Sequence, residues 1–277
     1  MATSDAPISI SQVALTVRDL DKTATFYEDV IGLGLIERNG ESAFLGTEAG
    51  TLIELRQDRN ARPFPKEAGL FHTAFLLPSK QDLGAWLIYA DERGVRLDGA
   101  SHHGVSEALY LNDPEGNGIE IYRDLPREAW KRQGDTIHMT THPLDLKSLT
   151  VDATQWQCAP PGTVIGHVHL RVGDVGKAAK FVTDELSMVQ TFELPSARWF
   201  GSGGYHHHLA ANAWQSKGAG SRSAGATGLT SVELLADPAD LTPGHKVDPW
   251  GTEFTITSAQ AGAARMSSNQ TKRGLQR

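Results

Sequence analysis

Gln12-Val13-Ala14-Leu15-Thr16-Val17-Arg18-Asp19-Leu20 and His167-Val168-His169-Leu170-Arg171-Val172-Gly173-Asp174-Val175 are two copies of one pattern. Each alternates with the period of a half-buried strand and ends on an acidic residue placed to cap a helix. Each runs into an amphipathic segment, 21–30 with Phe26-Tyr27 and 176–186 with Phe181. Three strand-like runs follow, at 35–38, 41–45 and 51–55 in the first copy and at 189–194, 197–200 and 205–213 in the second. A third copy starts at Gly69, with a strand at 71–77 and a helix over 82–94 closed by Gly94. Its strands at 108–111 and 118–122 are joined by Asp113-Pro114-Glu115-Gly116-Asn117, a strong turn signal. A fourth copy is degenerate: a strand at 229–235, then a last strand at 253–257 after Asp248-Pro249-Trp250-Gly251. Between them, 237–246 is too short and proline-rich for a crossover helix. The pattern predicts an α+β chain of four βαβββ modules, the fourth truncated. Modules 1 and 2 fill residues 8–125, a linker spans 126–162, and modules 3 and 4 fill 163–258. The polar, basic segment 259–277 is expected to be a disordered tail.

Composition bounds the function. A length of 277 residues with 39% hydrophobic and 21% charged residues describes a globular chain of one large or two ordinary domains. The net charge of −7 argues against nucleic acid as the main partner, which calls for a basic face. No apolar run approaches the roughly 20 residues that span a bilayer. The start, 1–12, has neither a basic nor an apolar stretch, so no signal peptide is expected. The lone Cys158 makes no intrachain disulfide, and together these features point to the cytoplasm. Glycine, at 28, fits many tight turns, and several of the 11 histidines are clustered.

The repeat resembles the vicinal-oxygen-chelate superfamily of glyoxalases, bleomycin-resistance proteins and extradiol dioxygenases, over nearly all of the chain up to about residue 258. The stretches 106–120 and 203–208 are most similar to the catechol 2,3-dioxygenase branch. His103, Leu109-Tyr110, Asp113-Pro114-Glu115-Gly116 and Glu120 resemble the extradiol signature. The resemblance implies two vicinal-oxygen-chelate domains, with metal ligands on the first and last strands of paired modules. First-strand positions hold Gln12, His72, His167 and Ser231; last-strand positions hold Glu54, Glu120, His208 and Thr255.

Modules 2 and 3 thus carry the capable ligands. His72, His167 and Glu120 make the two-histidine, one-carboxylate set of non-haem iron(II) oxygenases. They can do so only if modules 2 and 3 share one cavity, within a chain or across a homodimer. An alternative site is His167, His208 and Glu253 within modules 3 and 4. The resemblance implies iron(II), with manganese(II), nickel(II) or zinc(II) as alternatives, and a small aromatic diol with O2 as substrates. It makes His208 an acid–base group or a fourth ligand, and places Tyr110 and His103 within reach of bound substrate. Two other functions stay open: a glyoxalase-type isomerase with four protein ligands on nickel or zinc, and a metal-free binding protein.

Overall fold

The computed structural model describes residues 6–258; the tail expected at 259–277 lies outside them. Module 1 is β1 (Ile8–Val17), α1 (Leu20–Phe26) running into a π-turn over Tyr27–Ile31, then β2 (Gly34–Asn39), β3 (Ser42–Thr47) and β4 (Gly50–Gln57). Module 2 is β5 (Gly69–Leu76), α2 (Lys80–Glu92), β6 (Gly99–His102), β7 (Ser106–Asn112) and β8 (Gly118–Asp124). The segment expected to be a linker carries short elements: a 3-10 turn at Arg127–Ala129, β9 (Arg132–Gln133), β10 (Thr136–Ile137), β11 (His142–Pro143) and α3 (Leu146–Thr150). Module 3 is β12 (Val164–Arg171), α4 (Val175–Leu186), β13 (Val189–Leu194), β14 (Ala197–Gly201) and β15 (Leu209–Asn212). Module 4 has no helix: β16 (Gly228–Ala236), β17 (Gly244–Val247) and β18 (Glu253–Ser258).

Local chemistry sets these boundaries. Asp19 accepts from the Lys22 amide, Ser79 from Asp82, and Asp174 from Gly176 and Lys177, so each module helix starts on a side-chain cap. The two Asp-Pro turns are built alike. Asp113 Oδ1 accepts from the amides of Glu115 and Asn117, and Asp248 Oδ1 from those of Trp250 and Thr252. Gly116 and Gly251 take the left-handed φ that closes each turn. Three module strands differ from the sequence expectation, one of them β17, which falls where no strand is expected. β6 was missed because Gly99–His102 carries no alternation. The run expected over 205–213 is strand only over Leu209–Asn212. Gly203 and Gly204 are both left-handed, which turns the chain before β15 can begin.

The sheets do not follow the two sequence halves. One has seven strands in the order β17-β18-β16-β1-β4-β3-β2, joining modules 4 and 1. The other has nine in the order β11-β6-β7-β8-β5-β12-β15-β14-β13, joining modules 2 and 3. The seams are antiparallel, β1 against β16 and β5 against β12. Within a module the first and last strands run parallel. Alternation sorts the side chains of the nine-stranded sheet. Phe75, Leu109, Ile121, Val168, Phe200 and Leu209 face one continuous apolar core that also takes in Val13, Ile53 and Leu229 from the other sheet. Trp86, fully buried, anchors α2 there by donating Nε1–H to the Val30 carbonyl at 2.8 Å. The opposite face carries His72, Ala74, Tyr110, Glu120, Tyr122, His167 and His169.

Close backbone approach at β8 is a test of this packing. A Cβ on Gly118 would collide with the Phe71 carbonyl oxygen. Gly118→Ala is expected to push β8 from β5 and to cost about 1–3 kcal/mol in urea unfolding, as overpacking does. An unchanged midpoint would contradict that contact.

Candidate metal centre

Ala74 on β5 is the centre of the site's register. It pairs with Glu120 on β8 on one side and with His167 on β12 on the other, and His72 lies two residues before it on the same face. Nε2 of His72 and Nε2 of His167 each lie 3.0 Å from Glu120 Oε2 and 3.2 Å from each other. All three residues are buried. They come from one chain, so no second copy is needed to complete the set.

With Glu120 ionised, no arrangement of protons satisfies these three contacts. If both imidazoles donate Nε2–H to Oε2, the nitrogens oppose donor to donor. If either is bare at Nε2, its lone pair faces the carboxylate. A cation between them resolves the conflict. Ligands bonded at about 2.1 Å to an octahedral ion stand about 3.0 Å apart, the spacing found here. The donor set, two imidazoles and a carboxylate on one face, suits a divalent transition metal. Burial raises the Glu120 carboxyl, but the His167 and His72 imidazoles outweigh it and hold the group well below its ordinary range.

The triad floors a cavity of 490 Å³. Tyr110, opposite Glu120 across β7 and β8, lines one wall. Its hydroxyl donates to His103 Nε2 at 2.7 Å, and His103 Nδ1–H donates to the Thr140 carbonyl at 2.8 Å. That carbonyl can only accept, so it fixes the His103 tautomer and leaves Nε2 to receive the Tyr110 proton. Burial, and next the charge of Glu120, raise the Tyr110 hydroxyl well above its ordinary value. Phe71, Phe192, Trp199 and Trp214 form an apolar wall on the other side.

His208 is not in this cavity, which corrects its expected placement on the last strand facing the metal. By register, the counterpart of Glu120 in module 3 is Ala210: His169 pairs with Ala210 and His72, as Ala74 pairs with Glu120 and His167. His208 precedes β15, fully buried, its Nδ1 accepting from the Ser202 amide and its ring against Tyr205. The reserve ligand Glu253 is also elsewhere. It lies on β18 in the other sheet, half exposed and 3.7 Å from His245 Nε2, so the His167–His208–Glu253 site does not assemble.

His207 takes the cavity place instead, its ring centroid 4.1 Å from that of His167. A relay sets its protons. His206 Nε2–H donates to Asp124 Oδ1 at 2.9 Å. His206 Nδ1 and His207 Nδ1 share a hydrogen bond of 2.7 Å. With its proton on Nδ1 in that bond, His207 presents a bare Nε2, the state of a general base. His169 is the second residue that motif matching missed. Asn212 Oδ1 accepts from the Trp214 amide, so its Nδ2 donates to His169 Nε2 at 2.9 Å and the His169 proton sits on Nδ1. Its signal was present in the i, i+2 spacing from His167, which puts both on one strand face. His207 had no such signal, because the turn at 203–208 breaks the alternation.

Burial is the first cause that pushes His167 down to about 4, against the opposing pull of Glu120, and His208 down to about 3. It also holds His169 and His207 well below their ordinary value, with neighbouring imidazoles adding to it. Below about pH 6.5 the unfolded chain therefore binds more protons than the folded one. Stability is full above that pH and declines as pH falls toward 4. The metal-free protein is expected to lose several degrees of Tm between pH 7.5 and 5.5; a flat profile would contradict neutral burial.

The first sheet repeats the site without its chemistry. Ala14 pairs with Glu54 and Ser231, and Gln12 lies two residues before it. Gln12 and Ser231 stand where the histidines do. Glu54 is bonded instead by Arg56, Nε at 2.7 Å and Nη2 at 2.8 Å, so a guanidinium supplies the positive charge there.

Residues 9–121 match the family model of the Glyoxalase/Bleomycin resistance protein/Dioxygenase superfamily. The chain is 38% identical over 272 residues to a catechol-2,3-dioxygenase of Bacillus subtilis, covering 92% of this chain and 95% of that protein. It is 29% identical to biphenyl-2,3-diol 1,2-dioxygenase 3 of Rhodococcus globerulus, over 50% of this chain and 79% of that one. Glyoxalase I of Zea mays shares the fold at 16% identity, with a TM-score of 0.58 over 96% of this chain and 98% of that one. No helix among the described residues is long and apolar enough to cross a membrane. With such identity along nearly the whole of both chains, the chain belongs to the glyoxalase/bleomycin resistance/dioxygenase superfamily.

Proposed function

We propose that the chain is an extradiol ring-cleaving dioxygenase that holds iron(II) on His72, Glu120 and His167 and opens catechol-type diols, both atoms of O2 entering the product. The observation that carries this is the buried triangle of donors at the floor of the cavity, which would hold a divalent ion beside the space where a diol would bind. The names of the two relatives, one acting on catechol and one on biphenyl-2,3-diol, support the substrate class. Ala210 in place of a fourth ligand argues against an isomerase centre with four protein donors.

When bound, the ion supplies the charge that favours ionised diol oxygens and a path for electrons between diol and dioxygen. The chain does the rest. His207 Nε2, bare and adjacent to His167, accepts a proton from the diol and returns it during ring opening, while Asp124 and His206 keep its Nδ1 protonated. Tyr110, its own proton committed to His103, presents oxygen lone pairs to the remaining diol hydroxyl. Phe71, Phe192, Trp199 and Trp214 exclude water and favour diols with apolar substituents.

The test is anaerobic loading with iron(II), addition of catechol or a biphenyl-type diol, and admission of air. A yellow product and one O2 consumed per diol are expected, with iron as the supporting metal rather than manganese, nickel or zinc. No colour with catechol or with any alkyl- or aryl-substituted diol would overturn the proposal.

A further inference from the structure

A second cavity, of 190 Å³, lies between the two sheets and shares no lining residue with the catalytic one. Its walls include Arg171, the last residue of β12, and Arg222, on the connection between modules 3 and 4. We propose that this cleft is a binding site for a small oxyanion, a carboxylate or phosphate, held by the guanidinium of Arg171 with support from Arg222.

Both arginines are partly buried, and neither has a carboxylate within ion-pair distance among the described residues. Arg171 spends Nη1 on the Pro65 carbonyl at 2.8 Å. Its Nε is buried with no hydrogen-bond partner among the described residues. Nε and Nη2 form the edge of the fork that matches two acceptor oxygens. Arg222 donates to the carbonyls of Leu229 and Thr227. Burial, and for Arg171 the nearby Arg222, disfavour its charged form. Arg222 is disfavoured by burial but has Asp248 and Glu67 in its field. Arg171 has no such relief.

The two carboxylates on the cavity wall are already committed. Glu115 takes the Arg18 amide and Nε and the Asp19 amide; Glu67 takes the Ser223 amide and hydroxyl. A half-buried cation that lines a cavity, has no carboxylate partner and leaves a guanidinium donor unpartnered is unfavourable without an acceptor. A monoanion or dianion with two or more oxygens supplies both the charge and the acceptors. The cavity volume limits it to a small molecule.

The experiment titrates sodium phosphate and, separately, sodium succinate into the full chain at constant ionic strength, with chloride as the control. One saturable site per chain and a rise of several degrees in Tm are expected, beyond the effect of chloride. Arg171→Met and Arg171→Lys should each weaken binding about tenfold or more, the lysine because it keeps the charge but not the fork. Ring opening should be unchanged in both, since the Arg171 side chain lines no part of the catalytic cavity. Phosphate bound at the catalytic metal would be insensitive to Arg171, so the variants separate the two sites. Preference for phosphate or succinate identifies the source. No saturable binding of either anion by the wild-type chain, or equal affinity in Arg171→Met, would overturn the proposal.

Discussion

His167→Ala is expected to purify with almost no bound metal and to open catechol at least about a thousandfold more slowly than the parent chain. His167 provides one corner of the donor triangle, 3.0 Å from Glu120 and 3.2 Å from His72. Removing the ring deletes one of three ligands, and the remaining imidazole and carboxylate hold a divalent ion far more weakly. The matched control is Ser231→Ala. Ser231 is the register counterpart of His167 in the other sheet, opposite Ala14 as His167 is opposite Ala74. Metal content and rate should stay at parent values there. Elemental analysis and oxygen uptake measure both. Full metal occupancy in His167→Ala would remove the centre from modules 2 and 3.

The second large effect separates two adjacent histidines. His207→Ala should retain metal yet lower kcat by about 10²–10⁴-fold, the range of a lost general base. His208→Asn, which can still accept from the Ser202 amide, should keep kcat within about threefold of the parent value, because its ring lies behind the cavity wall. His208→Ala leaves that amide unpaired and a void beside Tyr205, and is expected to lose about 2–3 kcal/mol of stability at little change in kcat. Kinetics on metal-saturated protein decide the matter. If His208 variants lose turnover while His207 variants keep it, the assignment of the base is reversed.

Much of the molecule was legible from local chemistry. Strand alternation, side-chain caps at Asp19, Ser79 and Asp174, and the two Asp-Pro turns mark the modules, because each depends on residues within a few positions of one another. The placing of His72, Glu120 and His167 on inward strand faces follows from the same period of two. Three features required the folded chain. Pairing of β5 with β12 rather than of module 1 with module 2 is decided by burial between segments some hundred residues apart, which no local pattern encodes. Gly203 and Gly204 turn the chain so that His207, not His208, reaches the cavity; that depends on backbone angles that glycine permits but does not impose. Arg171 and Arg222 meet only where the two sheets close on each other. Residue identity and spacing therefore determined the modules and the capable ligands, while tertiary packing alone decided which modules share a cavity, since any of the apolar seams could bury its surface and only the assembled core selects among them.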